Sequence, residues 1–587
     1  MSTARTNALQ TLDNLFTIQV SDLASKANFS DSTDVTKGAA LIGRGTQNVA
    51  SIAALKTLAT NGPSKYAQTS GYYSAGDGGG GLYFVPASFA GLVDNGGTII
   101  QANDGGFWRL NHNGTVNVKQ FGARGDGATP DQAAFQTAVN TVKAVYMPSV
   151  VSGYKMTAGF TMSTGSSILF GDGPVTSSYF NLGGAGGHNF DVITINAFNV
   201  VIRDIAFQNF TTPAINASRF WSIRNDNSPG LKVLNVGTYG MHSGVQMGAV
   251  GSTGGGSASA IRNCVFSSLG RGTGIGIQQA GVAEVREITD VVMTGTGVGT
   301  VAANNARSGV EILGGVAITM NNVQAMGCGT PVRVNPPTGA AVNHTKITQL
   351  WCDSSNNNGL ELDGTLGSIT DMQISDLWAS GCTNGISIAG FAKDVVIHGL
   401  QCYQNTSTGI LVAANANVAG LILSHAQISG NPGAGVSMGT NVSGWKILAS
   451  NIGSSSFAGA NAYGVFLNAG CDNYIISDSD IRGNTTGQIA GHAGNTATKR
   501  ITDVIGYPTA LTGTFTGTTD AAGLFTIPHG LGKTPTFVDM RSVAGGSGAV
   551  LSAQLTAVDS TSIGGKMFTG TTVLASTAIT VMWKVEY

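Results

Sequence analysis

The sequence predicts an all-β chain, most of it a right-handed parallel β-helix, preceded by a small N-terminal module and followed by a C-terminal β-sandwich. Three observations carry this. Glycine supplies 85 of 587 residues, charged residues only 10% and hydrophobic residues 42%, which suits short strands and tight turns and excludes a disordered chain. A tetrapeptide of glycine followed by apolar–x–apolar recurs along the chain. A second mark, apolar–x–Asp/Asn–apolar–x–apolar, precedes most of its copies.

The first mark appears as GVQM (244–247), GIGI (274–277), GVEI (309–312), GLEL (359–362), GISI (385–388), GILV (409–412), GVSM (435–438) and GVFL (464–467). The second appears as IRDIAF (202–207), IRNCVF (261–266), ITDVVM (288–293), MNNVQA (320–325), ITQLWC (347–352), ISDLWA (374–379) and ISDSDI (476–481). Its third positions run 204, 235, 263, 290, 322, 349, 376, 399, 425, 450 and 478, so ten steps cover 478 minus 204, or 27.4 residues per coil. Such a period makes a solenoid of about 11 coils the expected architecture. Period-2 alternation inside each mark means strand and not helix. Three short strands with their turns fit one coil, and the Leu/Asn signature of a leucine-rich repeat is missing. Parallel connections are overwhelmingly right-handed, which sets the expected hand.

Alternate residues of each strand point inward and stack on the next coil. The repeated Asp/Asn falls where the chain turns, and these side chains tolerate the left-handed conformation. Asp204, Asn263, Asp290, Asn322, Asp376 and Asp478 are therefore read as turn residues and not as catalysts. Cys264, Cys352 and Cys402 fall on inward positions, and Cys328 and Cys382 match each other three residues further on. No C-x-x-C pair occurs among the six cysteines, so they read as small core residues, with no metal site and no cofactor expected. Buried thiols fit synthesis in a reducing cytosol.

At the ends of the repeat the composition changes. Residues 116–142, VNVKQFGARGDGATPDQAAFQTAVNTV, read as a Gly125–Asp126–Gly127 turn. A helix follows, capped by Thr129 with Pro130 at its first position. Ala133, Ala134, Phe135, Ala138 and Val139 form its apolar stripe, and it would cover open strand edges at the start of the β-helix. This stretch resembles the opening motif of the pectate-lyase-like β-helix superfamily, and PSVVSGYKMTAGF and LFGDGP resemble the next two turns. Upstream, SGYYSAGDGGGGLYFV and NGGTIIQANDGGFWRL look like the module that precedes the β-helix in bacteriophage tailspikes. Downstream, FTIPHGLGKTPTFVDM is similar to a tip-domain motif of phage tail fibres and spikes. In it, His529 reads as structural more readily than as a ligand.

The expected organisation is then a helical attachment segment and linker (1–45), a small β head-binding or connector module (46–112), the capped parallel β-helix (113–505) and a β-sandwich for trimerisation or receptor contact (506–587). The resemblance implies a homotrimeric phage tailspike, joined to the tail or baseplate through its N-terminus. It would bind, and usually cut, a bacterial surface polysaccharide (capsule or O-antigen). Such a protein is made in the host cytoplasm and acts in the virion tail at the cell surface. The N-terminus lacks the apolar core of a secretory signal, and no stretch reaches the ~20 apolar residues of a membrane helix. A formal charge of −1 argues against a nucleic-acid partner.

Glycan hydrolysis needs paired carboxylates on a rigid surface. A lyase needs a base and a cation to neutralise the sugar's carboxylate. The middle position after the marker glycine gives an outward column, Gln246, Gly276, Glu311, Arg333, Glu361, Ser387, Leu411, Ser437 and Phe466, in which the Arg333 coil lacks its glycine. Strand spacing of ~4.8 Å places Glu311 and Glu361 ~9–10 Å apart, and Asp363 follows Glu361 on the same face at ~6.5–7 Å. Both separations lie near those of an inverting hydrolase. Glu361, with Asp363 or Glu311, is the expected catalytic set; the competing reading is a surface Glu–Arg–Glu ladder. Arg333 serves either that ladder or an acidic sugar. Trp351 and Trp378 share one outward position on adjacent coils, followed by Asp353, and suit either sugar stacking or a subunit interface. The Gly/Ala/Asn-rich insertion between Met293 and Gly309 is expected to overhang the carboxylates. Endo-hydrolysis is the leading reading. A polysaccharide lyase, a non-catalytic adhesin and a structural fibre are the alternatives.

Overall fold

The computed structural model describes residues 9–10, 17–18, 45–174, 177–183, 189–209, 220–248, 258–269, 273–278, 286–295, 308–507, 510–531, 533–543 and 551–586. These are almost entirely strands and turns, with parallel β-solenoid turns as the dominant element, about 12 against the 11 counted from the repeat. The chain divides into two compact units, Met1–Gln246 with Gly255–Gly270, and Met247–Gly254 with Arg271–Tyr587.

In the first unit a five-stranded sheet runs in the order Gln47–Val49, Tyr66–Thr69, Gly81–Phe84, Phe107–Leu110, Ile99–Gln101. Tyr83 and Trp108 are buried on it. Most of segment 1–45 lies outside the described residues, as does the helix expected there; Leu9 and Gln10 pair antiparallel with Ile18 and Thr17. The helix before the first coil spans Gln132–Thr141 and differs from expectation at its start. Its N-cap is Asp131 and not Thr129, because Pro130 is drawn into a parallel bridge with Lys155. The Asp131 carboxylate does not cap the helix. It accepts backbone N–H groups from Arg124, Gly125 and Lys155 at 2.6, 3.2 and 3.2 Å, and burial pushes its pKa up. Phe135, Ala138 and Val139 are buried, whereas Ala133 is exposed and Ala134 half-buried. Phe135 stacks on Phe160 at 5.4 Å and meets Phe180 edge-on at 4.9 Å, so the helix seals onto an aromatic interior. Successive coils follow in parallel, as in Ile168–Gly171 against Val201–Arg203 and then Lys232–Leu234.

In the second unit, parallel coils stack from Ile275–Gln278 to Lys499–Thr502. The inward positions form a dry column: Leu350, Cys352, Ala379, Leu400, Cys402 and Ile452 are fully buried. All six cysteines are buried and unpaired, and burial raises the Cys264 and Cys382 thiols to about 12 and about 11. In both units the turns follow the repeat closely. Asp204, Asn235, Asn263, Asp290, Asn322, Gln349, Asp376, Gly399, His425 and Asp478 all have left-handed φ, between 50° and 68°. In the remaining coil the left-handed residue is Ala449, one position before the 450 expected.

Two antiparallel sheets close the second unit. One is ordered Ala510–Thr518, Ala578–Glu586, Phe537–Val543; the other is ordered Leu524–Pro528, Ser562–Thr569, Leu551–Val558. Phe525, Ile527, Ile563, Met567, Ile579, Val581 and Val585 form the core between them. His529 is structural: its Nδ1 accepts the Leu531 N–H at 3.0 Å and its Nε2 donates to the Asp559 carbonyl at 3.0 Å.

Candidate functional site

Strands Ile318–Met326, Ala341–Asp353, Leu360–Ser380 and Gln401–Tyr403 pair in parallel, aligning Gln324, Trp351, Trp378 and Gln401 in one column. Gln427 and Asn451 continue it. The neighbours Leu350, Cys352, Leu377 and Ala379 are buried, so strand alternation turns the column outward. The two indoles stack with centroids 5.8 Å apart and planes 18° apart. Tyr403 and Phe457 meet Trp378 edge-on at 5.4 and 6.3 Å. Tyr403 is fixed by donating its hydroxyl to Gln427 Oε1 at 2.8 Å. Trp378 is half-buried by this packing, while Trp351 stays 48% exposed.

A concavity of about 400 Å³ opens over the indoles. Each coil lends it the left-handed turn residue and the one two positions on, Asn322 with Gln324, Gln349 with Trp351, Asp376 with Trp378, Gly399 with Gln401, and Leu377 completes the lining. The turn series thus has a second role that its regularity hid. Asp353, expected beside Trp351, does not line this concavity; it is half-buried and accepts the Ser354 hydroxyl at 3.2 Å.

The carboxylate column holds the predicted register. Gly276, Glu311, Arg333, Glu361, Ser387, Leu411, Ser437 and Phe466 are successive strand partners. Arg333 Nε donates to Glu361 Oε1 at 2.8 Å, and Asn358 Nδ2 donates to Glu361 Oε2 at 2.9 Å. Asp363 is half-buried and accepts the Thr365 N–H at 3.1 Å. Glu311 departs from the expected open surface, being only 2% exposed. Its neighbours Val310 and Ile312 are fully buried, so alternation turns Glu311 away from the core. The insertion expected to overhang it falls at 296–307, outside the described residues. The structure therefore joins Arg333 to Glu361 and Trp351 to Trp378, but none of Glu311, Arg333, Glu361 or Asp363 lines the tryptophan concavity. Among the described residues no group of three or more His, Cys, Asp or Glu is placed to hold a metal ion.

Two polar series escaped sequence reasoning. A buried asparagine ladder links Asn405 to Asn431 at 3.0 Å, Asn431 to Asn461 at 2.8 Å and Asn461 to Asn484 at 3.1 Å. Its distance to the marker glycine shifts from four residues (Asn405 to Gly409) to three (Asn461 to Gly464), which hides the repeat. A second left-handed series, Ala317, His344, Asp371 and Asp394, marks another corner, with mixed residue types that give no motif. His344 Nδ1 is bonded to the Asp371 carboxylate there.

With the site described, the chain can be placed among known proteins. Residues 48–113 match the model of the phage tail protein small four-stranded β-sheet domain. The chain thus joins a segment similar to that phage tail domain to a β-solenoid body. Among solved structures, bacteriophage phi29 gene product 12 aligns over 67% of this chain and 56% of its own, at 17% identity and TM-score 0.50, a likeness of fold. This chain thus spans little more than half of that protein. The enzymatically active domain of tailspike protein 2 from bacteriophage CBA120 aligns over 93% of this chain and 84% of its own, at 14% identity and TM-score 0.47. The tailspike gp49 of Acinetobacter baumannii bacteriophage Fri1, a capsular polysaccharide depolymerase, aligns over 92% and 97%, at 10% identity and TM-score 0.41. No curated protein sequence matches the chain.

Proposed function

We propose that this protein is a homotrimeric tailspike that binds a bacterial surface polysaccharide and cuts it within the chain. The observation that carries the reading is the stacked pair Trp351–Trp378, with Trp351 open to solvent, in an amide-lined concavity. Aromatic faces offer a large apolar surface at low entropic cost, and amides satisfy hydroxyls in either direction. The phage tail module at 48–113 agrees with attachment to a tail through the N-terminus, which brings this surface to the host envelope.

Cleavage is assigned to Glu361 with Asp363 or Glu311, by hydrolysis. Glu361 accepts at both oxygens, from Arg333 and Asn358, which suits a base, leaving the acid role to Asp363 or Glu311. Arg333 orients Glu361. In the second reading, a lyase, Arg333 exchanges its Glu361 partner for a uronate beside the bond to be broken and neutralises it. A screen of purified capsules and lipopolysaccharides with product mass analysis tests this. Shortened chains that have gained water support the hydrolase. Unsaturated, ultraviolet-absorbing products would support the lyase, and binding at constant polymer size would leave an adhesin.

A further inference from the structure

We infer that the tryptophan concavity takes a neutral glycan, decorated with hydroxyl or acetamido groups and lacking uronate, sialate or phosphate. The inference rests on the proposed reading of this site as a glycan platform and adds the substrate class to it.

Charge is the first argument. The lining contributes four amides, Asn322, Gln324, Gln349 and Gln401, and a single charge, the Asp376 carboxylate. Among the described residues no lysine or arginine lines it. A bound uronate would lose part of its hydration beside Asp376 with no cation to compensate, and burying an unpaired charge is strongly unfavourable. The one arginine of the neighbouring column, Arg333, is held by Glu361 and lies outside the concavity.

Geometry is the second. Trp378 is packed between Trp351 and the rings of Tyr403 and Phe457, so it backs the site. Trp351 keeps the exposed ring, with Gln324 next to it in register on the neighbouring coil. A sugar ring laid on Trp351 therefore meets an amide at its rim. Amides both donate and accept, which matches hydroxyl and acetamido groups and gives an anionic group only part of what it needs.

The test is an array of purified bacterial polysaccharides of known repeat unit, half neutral and half carrying uronate, sialate or phosphate, probed with the full chain and with Trp351→Ala. Trp351-dependent binding is expected on the neutral half only, falling at least about fivefold in the variant. It should change less than about twofold between low and high salt, because no ion pair is being screened. A Trp351-dependent hit on an acidic polymer, weakened by salt, would overturn the substrate class while leaving the platform intact. Hits that Trp351→Ala leaves unchanged, or an array with no hit, would overturn the platform itself and the substrate class with it. Asp376→Lys separates the two failures further: if the class is right, this variant gains binding to acidic polymers.

Discussion

The tryptophan and glutamate columns share a strand, yet they are finished differently. Trp378 and Glu361 both lie on Leu360–Ser380. Around Trp378 the neighbouring coils supply rings and amides and leave a concavity open. Around Glu361 the neighbouring coil supplies Arg333 and the same coil Asn358, and together they occupy both carboxylate oxygens. A solenoid allows this because register fixes which side chains meet while each coil chooses its own residue. An aromatic concavity and a charged column can therefore be built side by side and altered separately.

The largest expected effect separates the columns by chemistry. Glu361→Gln should lower the cleavage rate by about 10²–10⁴-fold, the range for loss of a general acid or base, with binding to the tryptophan column unchanged. Rates from initial product formation, set against binding isotherms, check this. A change under twofold would make the Glu–Arg column a structural ladder.

Next comes the scaffold beneath both. Asn431 donates to Asn461 Oδ1 and accepts the Asn405 N–H and side-chain amide, so Asn431→Ala leaves buried donors unmatched at a cost of about 3 kcal/mol. A denaturant midpoint should fall accordingly, and near-neutral behaviour would show that water replaces the ladder.

Smaller still, Trp351→Ala should weaken glycan binding by about 1 kcal/mol, near fivefold in Kd. Trp378→Ala should cost stability as well, because it also unseats Tyr403 and Phe457. Equal effects at both positions would contradict the division into platform and backing. The least effect is expected from Asp376→Gly, which keeps the left-handed turn while removing the carboxylate. Its stability change should stay below about 1 kcal/mol, whereas Asp376→Val should cost more, since a β-branched residue resists positive φ.

Much of this was legible because a solenoid repeats its requirements. Asp376 and its equivalents announce the turn, since few residues accept φ near 55° without strain. The inward cysteines announce the core. Even the Arg333 coil, without its glycine, kept register because Val332 and Val334 preserve the alternation. The coil at 450 slipped by one because Leu448, Ala449 and Ser450 offer no Asn, Asp or Gly to mark the corner. Burial of Glu311 was illegible, since alternation states which way a side chain points and not what covers it. Placement of the site was only half legible. The column of tryptophans follows from period 2, but the concavity also uses turn residues such as Asn322 and Asp376, and a turn assignment alone gives them no exposure.

The central claim is that glycan is held on the tryptophan column and cut by the carboxylates of its neighbour. Its most direct test is light-scattering mass of one bound polysaccharide over time, with wild type, Glu361→Gln and Trp351→Ala. The account predicts a steady fall in mass with wild type and constant mass with Glu361→Gln at unchanged binding. Trp351→Ala should give a slower fall that recovers at high polymer concentration. A wild-type fall in mass with Glu361→Gln, or a Trp351→Ala defect that high concentration leaves in place, would contradict it.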